Sequence, residues 1–212
     1  MKKMISQATI DRLPLYFRTL RLVEDEQIQI ISSDELGRRL DITPEQIRKD
    51  LATFGQFGRK GIGYDVRELK EKLSNILGLQ NNWRLAIVGV GHLGGALANY
   101  VNFASLGFSV VALLDTNKKL IGTKVNDIPV NNVANMKSVI RKYNVDIGII
   151  TVPATEAQGV ADLLVAAGIK GIWNFAPTKL SVPAGIPLIN EDLSIGLSAL
   201  SYYMSQDITE VY

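Results

Sequence analysis

The sequence predicts an α/β fold built as two domains and a terminal helix, on three observations. Apolar periodicity is helical up to about residue 80 and then alternates between short apolar runs and helical stretches. A glycine-rich turn follows the first of those runs and opens a helix. An apolar helical stretch remains after the last run. Alternating runs and helices mark a parallel sheet with crossover helices. Residues 78–82, Gly-Leu-Gln-Asn-Asn, carry the turn chemistry of a boundary. The expected domains are therefore 1–79 and 80–190, with a terminal helix over 191–212.

In the first part, Ile10, Leu13, Phe17, Leu20 and Val23 recur at three- and four-residue spacing, one apolar stripe of a helix. Pro14 falls inside it, so the helix is expected to start near there or to kink. Ser32-Ser33-Asp34-Glu35 reads as a capping box opening a second helix, with Leu36 and Leu40 inward. Thr43-Pro44-Glu45-Gln46 is a stronger start signal. Thr43 caps, Pro44 suits the first helical position, and Gln46 is placed to reach back to the cap. Ile47, Leu51 and Phe54 give this third helix its buried side. Two short helices joined by a tight turn, after a longer one, make a helix-turn-helix.

The third helix is expected to leave Gln46, Lys49 and Thr53 on the face opposite its apolar side, with Arg48 beside them. Gln and Arg make bidentate hydrogen bonds to base edges, and Lys and Thr reach phosphates or bases. Residues 55–64 hold four glycines around Arg59 and Lys60, which suggests a short hairpin, a wing beside a recognition helix. The charge is consistent with a polyanion on this side. Residues 38–60 carry six basic side chains against three acidic ones, within a chain of formal net charge +2. DNA is the expected partner; a small bundle that docks a protein is the alternative.

The second part opens on an apolar strand, residues 83–88, that runs into Gly89-Val90-Gly91-His92-Leu93-Gly94 and then a helical stretch through Tyr100. A G-x-G-x-x-G between strand and helix is the dinucleotide fingerprint in its confirming context. Gly89 permits the tight turn, Gly91 lets backbone approach a pyrophosphate, and Gly94 lets helix pack on strand. The helix N-terminus offers free N–H groups to the anion, and His92 sits beside it. The next strand ends in Asp115, placed to accept from an adenine-ribose 2′-hydroxyl and to repel a 2′-phosphate, which favours NAD and NADH. Lys118 and Lys119 stand close by. Two further strands end at Thr151-Val152-Pro153 and Asn174-Phe175, and ligands sit at strand C-terminal ends in such sheets. These residues are expected to line the nicotinamide end. In the helix between them, Ala157, Val160, Ala161 and Leu164 point inward.

Composition narrows the function classes. The 212 residues include no cysteine and one histidine, His92, which excludes thiolate sites, disulfides and multi-histidine metal sites. No apolar run is long enough for a membrane span, and Lys2 and Lys3 have no apolar run behind them, a poor secretory signal. The expected setting is the cytoplasm, with no membrane partner. No Tyr-x-x-x-Lys pair occurs and few residues remain after the sheet, so no catalytic residue is assigned. A small NAD-dependent oxidoreductase with a helical appendage is the alternative to a sensor. In the tail, Leu193, Leu197, Leu200 and Met204 form a stripe at helical spacing. Such a helix packs on its own sheet or on a partner subunit. A dimer suits a DNA reader, because two recognition helices one turn apart read a pseudo-palindrome.

Taken together, Arg12-Leu13-Pro14-Leu15-Tyr16, the stretch Gln46 to Leu51, Phe54-Gly55 with Gly61-Ile62-Gly63-Tyr64, the glycine fingerprint, and residues 168–177 resemble the Rex redox-sensing transcriptional repressors along essentially the whole chain. The resemblance implies a homodimer with an N-terminal winged helix-turn-helix domain, a Rossmann dinucleotide-binding domain and an exchanged C-terminal dimerisation helix. It implies repression of fermentation and respiration genes from operator DNA, relieved when NADH replaces NAD. It also points to Arg18, Tyr100 and Asp192 as polar residues that change partners with the nicotinamide's redox state. Leu193 departs from members that carry an aromatic residue there, and a leucine fills that space without stacking.

Overall fold

The computed structural model describes residues 5–59 and 61–205, and the chain divides into two compact units between Asn81 and Asn82. Among the described residues no helix is long and apolar enough to cross a membrane.

The first unit opens with α1 (Gln7–Asp25), capped by the Ser6 hydroxyl, which accepts from Thr9 N–H. The helix runs through Pro14 rather than starting there. The missing N–H costs one turn's hydrogen bond, and the buried side of the helix carries it across. That side is Leu13, Tyr16, Phe17, Leu20 and Val23. Ile10, expected inward, is 43% exposed, and Thr9 is buried in its place. A 100° step per residue puts Ile10 a quarter-turn off the stripe and Thr9 on it.

After β1 (Ile30–Ile31) come α2 (Ser33–Leu40) and α3 (Pro44–Ala52). Both begin as the capping residues dictate: Ser32 accepts from Glu35 N–H and Thr43 from Gln46 N–H. Between them Asp41 takes a left-handed conformation at φ 55°, which makes the tight turn. The loop after α3 closes on itself through Arg59 N–H to the Gly63 carbonyl. The chain then enters β2 (Tyr64–Asp65), antiparallel to β1, and α4 (Val66–Ile76), capped by Asp65. Ile31, Leu36, Ile47, Leu51, Leu69 and Leu73 join the buried face of α1 in one core.

The second unit is a seven-stranded sheet. Its elements are β3 (Trp83–Val88), α5 (His92–Ala98), α6 (Asn102–Ser105), β4 (Phe108–Asp115), β5 (Lys124–Val125), β6 (Ile128–Asn132), α7 (Met136–Lys142), β7 (Ile147–Ile150), α8 (Ala154–Ala167), β8 (Gly171–Asn174), β9 (Leu188–Asn190) and α9 (Leu193–Ser205). The order across the sheet is β5-β6-β4-β3-β7-β8-β9, parallel throughout except for β5. Counted from β3 and without β5, this is the 3-2-1-4-5-6 order of a Rossmann domain. Side chains of β3 alternate: Leu85 and Ile87 face a core shared with Ala98 of α5, while Ala86 and Val88 face α7 and α8. In α8 the buried residues are Ala157, Val160, Ala161 and Leu164, as the periodicity predicts.

Two features were not anticipated from the sequence. A hairpin joins β5 to β6 through Asn126 and Asp127, both at positive φ. The Rossmann helix after β3 stops at Ala98, so Tyr100 lies in the break before α6 and not late in a helix. Finally, α9 contains no buried residue, with Leu193 67% and Leu197 69% exposed.

Candidate functional site

The second unit builds its candidate site where β3 and β7 leave the sheet in adjacent positions. The turn after β3 needs glycine for two internal reasons. Gly89 has φ +97°, and a Cβ there would meet the Thr151 carbonyl oxygen at 2.7 Å. A Cβ on Gly94 would stand 1.9 Å from the Gly89 carbonyl oxygen. The Thr151 hydroxyl closes the same knot by donating to that oxygen at 2.6 Å. Gly91 differs, for a Cβ there would meet nothing within 4 Å. Its backbone is ordinary, at φ −72° and ψ −159°, and as the residue before α5 it makes no side-chain cap. The chain's own packing accounts for Gly89 and Gly94. The bare surface at Gly91, beside uncapped helical N–H groups, is a cradle that an approaching phosphate fits.

Asp115 stands across this cradle at the end of β4. One carboxylate oxygen accepts from Val90 N–H at 2.6 Å and the other from Asn117 N–H at 2.7 Å. The acid is thereby oriented, with lone pairs left for ribose hydroxyls. Val90 itself is buried in the α5-side core, so its part is to hold Asp115 rather than to present a side chain. His92 is exposed at the first position of α5, and Leu93 is half-buried behind it. Val152 is half-buried against the Gly89 turn, and Pro153, exposed, immediately precedes α8. These residues fit a dinucleotide.

Asn174 corrects the sequence reading. It is fully buried, and its amide donates to the carbonyls of Ala176 and Thr178 and to Asn190 Oδ1, while its oxygen accepts from Ala176 N–H. A side chain so committed braces the loop after β8 and has no group free for a cofactor. Phe175, half-buried, packs on Trp173 with ring centroids 4.5 Å apart. Tyr100 is 50% exposed and stacks edge-on against Phe103 at 5.0 Å. Asp192 caps α9, accepting from the Ser194 hydroxyl at 2.6 Å and its N–H at 2.9 Å. Those two bonds hold its carboxyl below the usual range. Arg18 is exposed on α1.

In the first unit the outward face of α3 is Glu45, Arg48, Lys49 and Ala52. Gln46 and Thr53 are not on it. Thr53 follows the helix and donates to the Lys49 carbonyl. Gln46 turns inward, its amide donating to Asp50 Oδ1 at 2.8 Å instead of reaching back to the cap. The cause is Asp50, a residue to which the sequence pattern assigns no partner. It is 1% exposed and accepts from Arg12 Nε at 2.6 Å, Arg12 Nη2 at 2.8 Å, Tyr16 at 2.7 Å and Thr9 at 3.1 Å. Burial alone would raise its carboxyl, but these donors together pull it down to about 2. Burial and the same carboxylate push the Tyr16 phenol up.

Arg48 is oriented by Ser33 Oγ at 2.7 Å and Glu45 Oε1 at 2.8 Å, and it remains exposed. Among the described residues the Lys49 ammonium has no ion pair. A cleft of about 540 Å³ lies between α3 and the wing, lined by Ser33, Arg48, Phe57, Arg59 and Tyr64 among others. Lys60, expected beside Arg59, lies outside the described residues.

Comparison with known proteins covers both units. Residues 80–178 match a family model described as "CoA binding domain", and residues 4–52 one described as "Putative DNA-binding protein N-terminus". The chain is 49% identical over 200 residues to the redox-sensing transcriptional repressor Rex of Clostridium botulinum strain Hall, covering 94% of this chain and 95% of that one. It is 45% identical over 205 residues to the protein of the same name from Clostridium tetani, covering 97% of each. Among solved structures, RSP in complex with β-NAD+ and operator DNA matches with a TM-score of 0.92 at 42% identity, over 97% of this chain and 94% of that one. RSP in complex with β-NADH matches with a TM-score of 0.89 at 40% identity, over 97% and 96%.

Proposed function

The chain belongs to the Rex family of redox-sensing transcriptional repressors, and from that premise we propose how its residues carry out the work. The protein is an NAD(H)-responsive, DNA-binding repressor that binds its operator in the NAD-bound or free state and releases it with NADH. The observation that carries the residue assignment is the open cradle at Gly91 facing the oriented Asp115.

In this reading Gly91, His92 and the first N–H groups of α5 receive the pyrophosphate. Asp115 takes the adenine ribose, and its negative charge disfavours a 2′-phosphate. Thr151, Val152, Pro153 and Phe175 line the nicotinamide end. When bound, the nicotinamide supplies a difference of one positive charge and of ring planarity between its oxidised and reduced forms. Asp192, now bonded to Ser194, exchanges between Arg18 and Tyr100, and that exchange is the switch.

On the DNA side Arg48, aimed by Ser33 and Glu45, reads a base edge. Lys49 and the wing residues Arg59 and Lys60 hold phosphates or the minor groove. Gln46 and Thr53 support α3 rather than touch bases. The exposed apolar stripe of α9 packs on a second copy of the chain, giving a homodimer that meets a pseudo-palindromic operator. Such a repressor acts in the cytoplasm, and the relatives' shared name is that of a regulator rather than a catalyst.

The deciding experiment is a titration of the full chain against selected duplexes, alone, with NAD and with NADH. Binding retained with NAD and lost with NADH is expected. Indifference to both cofactors would overturn the sensing role. Turnover of a carbonyl substrate with NADH would favour the oxidoreductase alternative.

A further inference from the structure

An unbroken set of contacts joins the ring of Tyr100 to the first residue before the Asp192 cap. Tyr100 stacks on Phe103, and Phe103 lies 6.2 Å from Trp173, which packs on Phe175. The Trp173 indole N–H donates to Glu191 Oε1 at 3.3 Å. Glu191 N–H in turn donates to the Asn174 carbonyl at 2.7 Å, and the Asn174 amide to Asn190 Oδ1 at 2.9 Å. Residues 190 and 191 are thus fixed to the end of β8 by backbone and side chain alike. The next residue is Asp192, which caps α9.

The helix itself buries no residue in this chain, so its direction is set where it begins. Indole N–H is a donor only, and a half-buried one needs an acceptor. Glu191 Oε1 supplies that acceptor. Loss of this bond leaves the Asn174 contacts in place but frees the Glu191 side chain, and so removes one of the restraints on the segment that leads into α9.

We propose that Trp173 and Glu191 are positioning residues of the redox switch: they hold Asp192 and the start of α9 in register with the aromatic group that ends in Tyr100. Neither residue touches the cofactor in this scheme. They act through Asp192, and the proposal rests on the role given to Asp192 and Tyr100 above.

The test compares Glu191→Leu, Glu191→Gln and Trp173→Phe with the wild type in the full chain. Glu191→Gln keeps an accepting oxygen, whereas Glu191→Leu and Trp173→Phe each remove one half of the bond. NADH affinity, read by cofactor fluorescence, should be unchanged in all three. The NADH concentration that half-releases operator DNA should rise about fivefold in Glu191→Leu and Trp173→Phe, the size of one net hydrogen bond. It should stay at the wild-type value in Glu191→Gln. A cofactor-free readout accompanies it: with Trp83→Phe leaving Trp173 as the sole tryptophan, its emission should change on Glu191→Leu and not on Glu191→Gln. Release curves for Glu191→Leu that superimpose on wild type overturn the proposal, as does a parallel loss of NADH affinity. A wild type that NADH does not release overturns the sensing reading itself, and this proposal with it.

Discussion

Arg12 grips both carboxylate oxygens of Asp50, Nε to Oδ2 at 2.6 Å and Nη2 to Oδ1 at 2.8 Å, and so ties the first helix of the DNA-reading unit to its third. Tyr16 and Thr9 of α1 reinforce the tie, and Gln46 completes it from α3. Arg18 lies on the same α1. Any force applied at Arg18 therefore reaches α3 through a charged joint at the buried Asp50 as well as through the apolar core.

Breaking the joint should be costly. Asp50→Asn leaves the Arg12 guanidinium without its counter-charge, and a loss of about 3 kcal/mol is expected. The pH dependence has a definite sign. The Asp50 carboxyl is held at about 2 when folded, against 3.8 for its ordinary value. Its stabilisation is complete above about pH 4 and is lost as pH falls toward 2, about 2 kcal/mol in all. Denaturant unfolding at pH 6, 4 and 3 should show the wild type converging on Asp50→Asn as acid is added. A constant gap between the two would contradict the assignment.

Arg48→Ala and Lys49→Ala should differ in kind. The first should cost roughly 1–3 kcal/mol at the operator and relax sequence preference. The second should weaken all duplexes alike and reduce the salt slope by about one. Equal, sequence-independent losses in both would mean that Arg48 holds a phosphate instead of a base.

The fingerprint glycines should separate under substitution. Gly91→Ala, whose Cβ enters open space, should leave thermal stability unchanged while NADH affinity falls. Gly94→Arg should abolish NADH binding, and DNA binding should survive without responding to NADH. Asp115→Asn keeps an oxygen for Val90 N–H but removes the charge, and the preference for NADH over NADPH should shrink by roughly tenfold. An unchanged preference would move that discrimination elsewhere.

Tyr100→Phe should still bind NADH, yet release DNA less completely, because the phenol is lost and the ring against Phe103 is kept. Asp192→Ala should uncouple the two sites further. The comparison is of half-releasing NADH concentrations at matched NADH affinity. Superimposed curves would remove Tyr100 from the switch.

The features legible in the sequence were those whose causes are local. Ser32 capping α2, Thr43 with Pro44 opening α3, and the positive φ of Gly89 act within a few residues of themselves. The Asn126-Asp127 turn is equally local, two residues suited to positive φ between Val125 and Ile128. Asp50 was not legible, because its partners on α1 stand 34 to 41 residues away and only folding brings them together. Gln46 followed it out of view: a polar residue on a recognition helix suggests a base contact until a buried carboxylate claims it. Asn174 misled for the same reason, since a polar side chain at a strand end suits a ligand or a buried brace equally.

The thirteen residues of α9 leave a final consequence. A helix this short, with nothing buried in its own chain, is marginal in water by itself. In the dimer proposed above, its formation and the meeting of two chains are one equilibrium, and the folded population depends on protein concentration. Operator titrations at high dilution would fall on the dissociated side of that equilibrium. There the isotherm should steepen toward second order in protein, and an apparent affinity would report subunit association as much as base recognition.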